Sequence, residues 1–373
     1  MDTSANANEV VTNEVVANEV VVVDEVVANE VVALDEVVAV DEVVVVDEVV
    51  VVDEVVANEV VANEVKDTNV NINLLKQYIH ALVVNIKREN LPSSFNLIFD
   101  SGAVNGIMGI GAALYINILE KMGYFNIKKV SGCSIGSFIA LWYIYGCPEE
   151  FYDRCDQLLT YYKKHKNFYI YETIVRDIVY ELIPDENMSK ISERLYINYY
   201  DTKKSKNRVI SHFKNRDHLI TCILRSSHVP FLTTSDHKYQ GRYIDGIVPH
   251  IFNEDDSCKN LFIKLINFTE PFKCLKAKNE QNIYSRLLRG IVGVNDLFVN
   301  GQSDLCSYID GTCYLTILTL YARKQIIFLV LLLIDLVLTV KKHIPISIQE
   351  TNYYKQITLL SKSGWYYLQN KLV

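Results

Sequence analysis

A short strand-like stretch from Ile127 to Val130, with Lys128 and Lys129 between its apolar ends, leads into Gly132-Cys133-Ser134-Ile135-Gly136, then into a helix-forming stretch, 137–145, that stops at Gly146 with Pro148 just beyond. Strand, tight turn and helix in that order commit this part of the chain to an α/β architecture of parallel strands, because a strand that feeds a helix cannot pair back on itself as a hairpin. The glycines on either side of Ser134 keep β-carbons out of the turn, and the following helix aims its positive N-terminal end at the serine hydroxyl. That is the setting of a nucleophilic serine, and acyl transfer is the chemistry it implies. A glycine-rich turn with no chemistry can carry the same five letters, so the pattern has to be read with its neighbours.

A second strand-turn-helix unit lies about thirty residues upstream. Phe95 to Phe99 reads as a strand, Asp100-Ser101-Gly102-Ala103-Val104-Asn105-Gly106 as its turn, and a helix runs from about Gly106 to Lys121. Such a turn presents backbone N–H groups where an oxyanion can sit. Downstream, Tyr243-Ile244-Asp245-Gly246 ends a short apolar segment on an aspartate that can take the serine proton directly. Before it, 224–232 reads as a helix end followed by a proline turn.

In order, spacing and local chemistry these segments resemble the patatin-like phospholipase family over roughly Asn96 to Phe252. That family carries a D-G-G-G-x-R/K-G oxyanion loop, a G-x-S-x-G nucleophile and a D-G-G/A aspartate, with a small-residue stretch ending in proline before the aspartate, here Ser226 to Pro230. The resemblance implies a three-layer α/β/α fold with a mostly parallel central sheet. It implies a Ser134–Asp245 catalytic pair and an oxyanion hole at Gly102, Ala103 and Val104. Gly132 and Gly136 form the elbow, and Asn105, Gly106 and Gly246 support it. The implied activity is lipid acyl hydrolysis of phospholipase A type, with no metal and no cofactor. Four positions depart from the pattern: Ser101 and Ala103 stand for glycines, Asn105 for the basic residue, and Ile247 for glycine or alanine after Gly246. A positive φ at Ala103 would cost on the order of 1 kcal/mol because of its β-carbon, and losing an oxyanion donor costs roughly 2.7–4 kcal/mol of transition-state stabilisation. A catalytically impaired lipid- or protein-binding module on the same fold is therefore the competing expectation.

A Ser-Asp pair makes no histidine essential. His250 and His343 both follow Asp245, but the first is too close in sequence for a triad and the second lies in a lysine-flanked turn, so both read as packing or surface residues. The eight cysteines show no C-x-x-C spacing and read as reduced intracellular thiols, Cys133 included.

The first 65 residues are of another kind. From Asn8 to Val65, valine pairs and quartets alternate with Asn-Glu or Asp-Glu, with no lysine, arginine, glycine or aromatic residue. The glutamates recur every five or six residues, which fits neither a helical stripe nor a strand face, and the segment reads as a flexible low-complexity arm, with or without a partner-binding role. Its acidic start is unlike a secretory signal, so an intracellular protein is expected. Seventeen of the 45 acidic residues and none of the 37 basic ones precede Lys66, so the formal charge of −8 conceals a remainder of +9. A basic body suits anionic lipid headgroups; the absence of zinc spacing, helix-turn-helix cues and RNA-binding aromatics places nucleic acid behind lipid.

The expected divisions are the arm at 1–65, a catalytic domain at 66–301 and a helical region at 302–373. The tyrosine- and lysine-rich stretch 161–171 can seat a surface at a lipid interface or simply reflect overall composition. Ile326 to Val340 is fifteen residues long with one aspartate, between Arg323-Lys324 and Lys341-Lys342. It is short for a span of about twenty residues, so a buried helix or a membrane-surface anchor is expected. Expected partners are a phospholipid or other lipid ester and a membrane surface, with the protein soluble or peripherally bound; oligomeric state is left open.

Overall fold

A computed structural model describes residues 68–372, apart from 253–257, 268–269, 279, 281 and 310–313. The repeat arm of the sequence reading lies outside the described residues.

Seven strands form one sheet: β1 Ser94–Phe99, β2 Asn126–Gly132, β3 Leu195–Asp201, β4 Lys206–Ile210, β5 Tyr243–Asp245, β6 Lys259–Ile263 and β7 Cys306–Ile309. The order is β4-β3-β2-β1-β6-β7, with β5 pairing β3. The four central strands, β3, β2, β1 and β6, run parallel, and β4, β5 and β7 join antiparallel. β1 is buried at all six positions, as expected of a central parallel strand covered on both faces.

The alternation along β1 sorts two layers. Phe95, Leu97 and Phe99 enter the large core, while Ile98 joins a second, smaller cluster with Phe252, Phe262, Ile309 and Leu320. The large core is built by α1 Thr68–Val83, α2 Gly106–Lys121, α3 Ile135–Ile144, α4 Glu150–His165, α5 Tyr171–Leu182, α6 Met188–Ile191, α7 Arg216–Ser226 and α8 Tyr284–Asn300. Within it α2 and α8 cross at backbone contact, since a β-carbon on Gly111 would lie 2.0 Å from Leu287 O and one on Gly290 2.0 Å from Met108 O. The stretch Ala103–Lys121 is apolar and long enough to cross a membrane, but 72% of its most apolar window is buried in this core.

Beyond Asn300 the chain adds strand β7 and then α9 Tyr314–His343, α10 Ile346–Gln349 and α11 Asn352–Leu372. β7 falls in the stretch read as helical; four residues are too few to display alternation. α9 lies across the second face of the sheet. Its Leu320 packs with Ile98, Phe262 and Ile309, and Phe328 meets the Tyr200 ring of β3 at 4.3 Å. The result is a mixed, mostly parallel sheet flanked by helices, consistent with a patatin-like α/β/α fold.

Two local readings change. The aromatic rings of the stretch 161–171, which spans the end of α4 and the start of α5, are largely core: Tyr162 stacks on Phe168 at 4.2 Å, and Tyr171 is buried. Amphipathic packing of α4 and α5 turns these rings inward, leaving Tyr169 exposed. His343 ends the long helix α9 instead of lying in a turn.

Candidate active site

Ser134 sits between the last residue of β2 and the first of α3 with φ 55° and ψ −135°, a conformation that costs a residue with a β-carbon about 1–3 kcal/mol. Close approach explains both flanking glycines. A β-carbon on Gly132 would lie 2.1 Å from Gly136 O, and one on Gly136 2.4 Å from Asp100 O, so the elbow is pressed against the end of β1. The Ser134 N–H donates to Ser226 Oγ (3.0 Å), which in turn donates to Asn198 O (2.8 Å). The small residue at the end of α7 thus fastens the elbow to β3.

The sheet register places Asp245. β2 pairs the edge of β3 only as far as Gly132 opposite Ile197, then leaves it to enter the elbow. β4 holds the other edge of β3 through Asp201, so β5 takes the vacated positions beyond β2, with Asp245 opposite Tyr199. The aspartate therefore arrives just past the end of β2. Its Oδ1 accepts a hydrogen bond from Ile247 N at 2.7 Å, and the Ser134 side chain lies close enough to favour its ionised form. Gly246 lets this turn graze β3, since a β-carbon there would lie 2.4 Å from Asn198 O. Burial raises the Asp245 pKa to about 6, against the lowering effects of Ser134, the Ile247 N–H and Arg323.

The loop after β1 forms a 3-10 turn, Ala103–Asn105, that runs into α2. The N–H groups of Gly102, Ala103 and Val104 open this helical turn, and first donors of a turn have no acceptor within it. Ala103 has φ 45°, and Ile247 has φ 65°. Both are positions where the family pattern has a small residue, and both hold a positive φ, which favours glycine. Two of the departures also gain a side-chain partner. Ser101 Oγ donates to Ile247 O (3.2 Å), and Asn105 Nδ2 donates to Leu265 O (2.8 Å). Asn105 Oδ1 accepts from Arg286 of α8, which is ion-paired with Glu280. A guanidinium from α8 thus approaches the position where the pattern carries its own basic residue. Gly106 admits the Ile135 side chain, which a β-carbon would meet at 2.4 Å.

Sequence reading missed Arg323. From α9 it grips the fully buried Asp100 with two bonds, Nη1 to Oδ2 at 2.8 Å and Nη2 to Oδ1 at 2.5 Å, and Nη2 also donates to Ile247 O at 3.0 Å. One side chain therefore joins the end of β1 to the turn after Asp245. A cavity of about 300 Å³ lies beside this clamp, lined by Asp100, Phe262, Leu315, Leu320 and Arg323 among others.

The histidines stand apart from the pair. His250 stacks on Tyr196 at 5.6 Å, and exposed His343 bonds Thr339 O. His228 is buried, with burial lowering its pKa to about 4, and its carbonyl accepts from Asp245 N. Cys133 is buried too, and desolvation pushes its thiol pKa well up, away from reactivity. Among the described residues, no cluster of three or more His, Cys, Asp or Glu side chains is placed to hold a metal ion.

A search among curated proteins found no match. Residues 97–248, which contain the loop after β1, the elbow and Asp245, match the family model for patatin-like phospholipase, so this segment is a patatin-like phospholipase domain of a lipid acyl hydrolase family.

Proposed function

We propose that the protein is a phospholipase A-type lipid acyl hydrolase working through a Ser134–Asp245 dyad. The observation that carries this reading is the sheet register that brings a half-buried carboxylate beside a strained-elbow serine. Asp245 accepts the Ser134 proton as Oγ attacks the ester carbonyl. The N–H groups at Gly102 and Ala103, with Val104 behind them, receive the developing oxyanion. The alcohol portion leaves as a lysophospholipid, taking the proton from Asp245, and water then hydrolyses the acyl-enzyme with Asp245 again as base. Burial suits Asp245 to this work, since a carboxyl titrating near 6 is a stronger base than an ordinary aspartate and is still ionised at pH 7.

The altered loop favours a second reading, a binding module without turnover. Against it, Ala103 has φ 45°, a backbone region that favours glycine, which supports a loop that keeps its shape despite the β-carbon. The test is release of free fatty acid from phospholipid vesicles, measured by mass spectrometry. Wild-type protein should release it, and Ser134→Ala and Asp245→Asn should each lower the rate by about a thousandfold or more while the fold persists. No release by wild type, or near-wild-type release by Ser134→Ala, rules the dyad out.

A further inference from the structure

The helix α9 is apolar around most of its circumference, yet only one stripe of it meets the rest of the protein. Leu320, Arg323 and Phe328 face the sheet. The opposite arc is open: Ile326, Leu329, Leu332, Leu333, Leu336 and Val337 are 51–64% exposed. An uncovered arc of this length, roughly 20 Å from Ile326 to Val340, is more apolar surface than a water-facing helix carries without a partner.

We propose that this outward arc of α9 is the surface on which the protein rests on a lipid bilayer, the helix lying along the boundary between headgroups and acyl chains.

Three features select lipid as the occupant. First, the single acid of the run is turned away from the arc. Asp335 pairs with Lys238 Nζ (2.6 Å) and His237 Nε2 (3.1 Å) of the body, so no charge lies on the outward side between Lys324 and Lys341. Second, the arc lacks the hydrogen-bonding groups that rim a protein interface. Thr339, its one polar side chain, donates back to Asp335 O at 2.7 Å. Third, exposed Lys341, Lys342 and His343 close the run, where cations meet headgroup phosphates. The inner stripe is held to the sheet, so the helix lies on a membrane and does not cross it. The face also belongs to the helix that grips Asp100, so docking would bring the oxyanion loop to the interface where lipid esters are found. That last point rests on the proposed function; the docking surface does not.

The test is flotation of the full chain with phosphatidylcholine vesicles, with and without phosphatidylserine, using Ser134→Ala protein so that hydrolysis plays no part. The protein should float with both, and more with phosphatidylserine. Leu332→Glu combined with Leu336→Glu should weaken binding by about tenfold or more, since each leucine transfer is worth at least that factor. Lys341→Glu with Lys342→Glu should weaken only the phosphatidylserine-dependent part, again by about tenfold. All four leucine and lysine positions are exposed, and an unchanged melting temperature shows the fold intact. Failure to float, or equal flotation of the leucine variant, overturns the proposal. So does a wild-type dimer in light scattering that the leucine variant converts to monomer, which would assign the face to a second copy. Vesicle binding without fatty acid release in active-site-intact protein would sink the proposed function and leave the docking surface standing.

Discussion

Ala103 and Ile247 occupy left-handed backbone positions on either side of the proposed dyad, where a β-carbon is a burden. Their strain is sustained by what surrounds them. The Ile247 N–H donates to Asp245, and its carbonyl accepts from both Ser101 and Arg323. Ala103 is followed by the turn bond from Asn105 N to Gly102 O at 2.8 Å. Relief should be measurable at Ala103, whose methyl is small enough to lose without leaving a large cavity. Ala103→Gly should raise stability by about 1 kcal/mol, or leave it unchanged where the greater freedom of unfolded glycine offsets the relief. Hydrolysis should be at least as fast as in wild type. A rate lowered by tenfold or more would mean that the Ala103 methyl itself holds the loop in shape.

At the scale of elements, the contact between α9 and the end of β1 turns on one ion pair. Asp100 is fully buried, and removing Arg323 leaves its carboxylate without its guanidinium, which typically costs 3–5 kcal/mol. Arg323→Met should therefore destabilise the protein by roughly that amount in denaturant titration. Asp100→Asn in the same background should restore part of the loss, because the uncompensated charge is gone. Lysine at 323 should rescue poorly, since it cannot bond both carboxylate oxygens and the Ile247 carbonyl in the same planar geometry. Equal stability of Arg323→Met and wild type would show that α9 contributes nothing to the loop. Arg286 makes the corresponding tie from α8 to Asn105, so both cationic supports of the loop after β1 come from beyond residue 248, outside the matched segment.

For the molecule as a whole, the pH response follows from Asp245. Its carboxyl is raised from 3.8 to about 6, so folding favours the protonated form. The stability this contributes is full below the unfolded value and is lost as pH rises through the folded one. Activity runs the other way, because the base must be ionised. Fatty acid release should climb with pH through an apparent pKa near 6 and level off above it, while Asp245→Asn should gain on the order of 1–3 kcal/mol of stability at pH 7 relative to wild type. A flat rate profile between pH 5 and 8 would remove Asp245 as the base.

The parts of this molecule that could be read from sequence are those whose signal is local. The elbow announces itself within about twenty residues, because strand periodicity, two glycines and a helix stop occur in succession. Asp245 is visible as a short apolar segment ending in Asp-Gly. Its position beside Ser134 is not, since that depends on β5 taking the edge of β3 that β2 gives up. Arg323 could not be read at all: it lies 223 residues from Asp100, and nothing in an arginine at the start of an apolar helix says which carboxylate it will meet. The apolar character of 326–340 was plain, but which side of the helix faces the sheet is fixed only by Leu320, Arg323 and Asp335 finding partners in the body.

The proposed reaction stands on one nucleophile, and its reactivity can be measured without knowing the natural substrate. Treatment of the full chain with a fluorophosphonate, followed by intact-mass and peptide analysis, should show one adduct on Ser134, absent in Ser134→Ala and slowed in Asp245→Asn. An unlabelled wild type, or labelling that survives in Ser134→Ala, would contradict the assignment of Ser134 as the nucleophile.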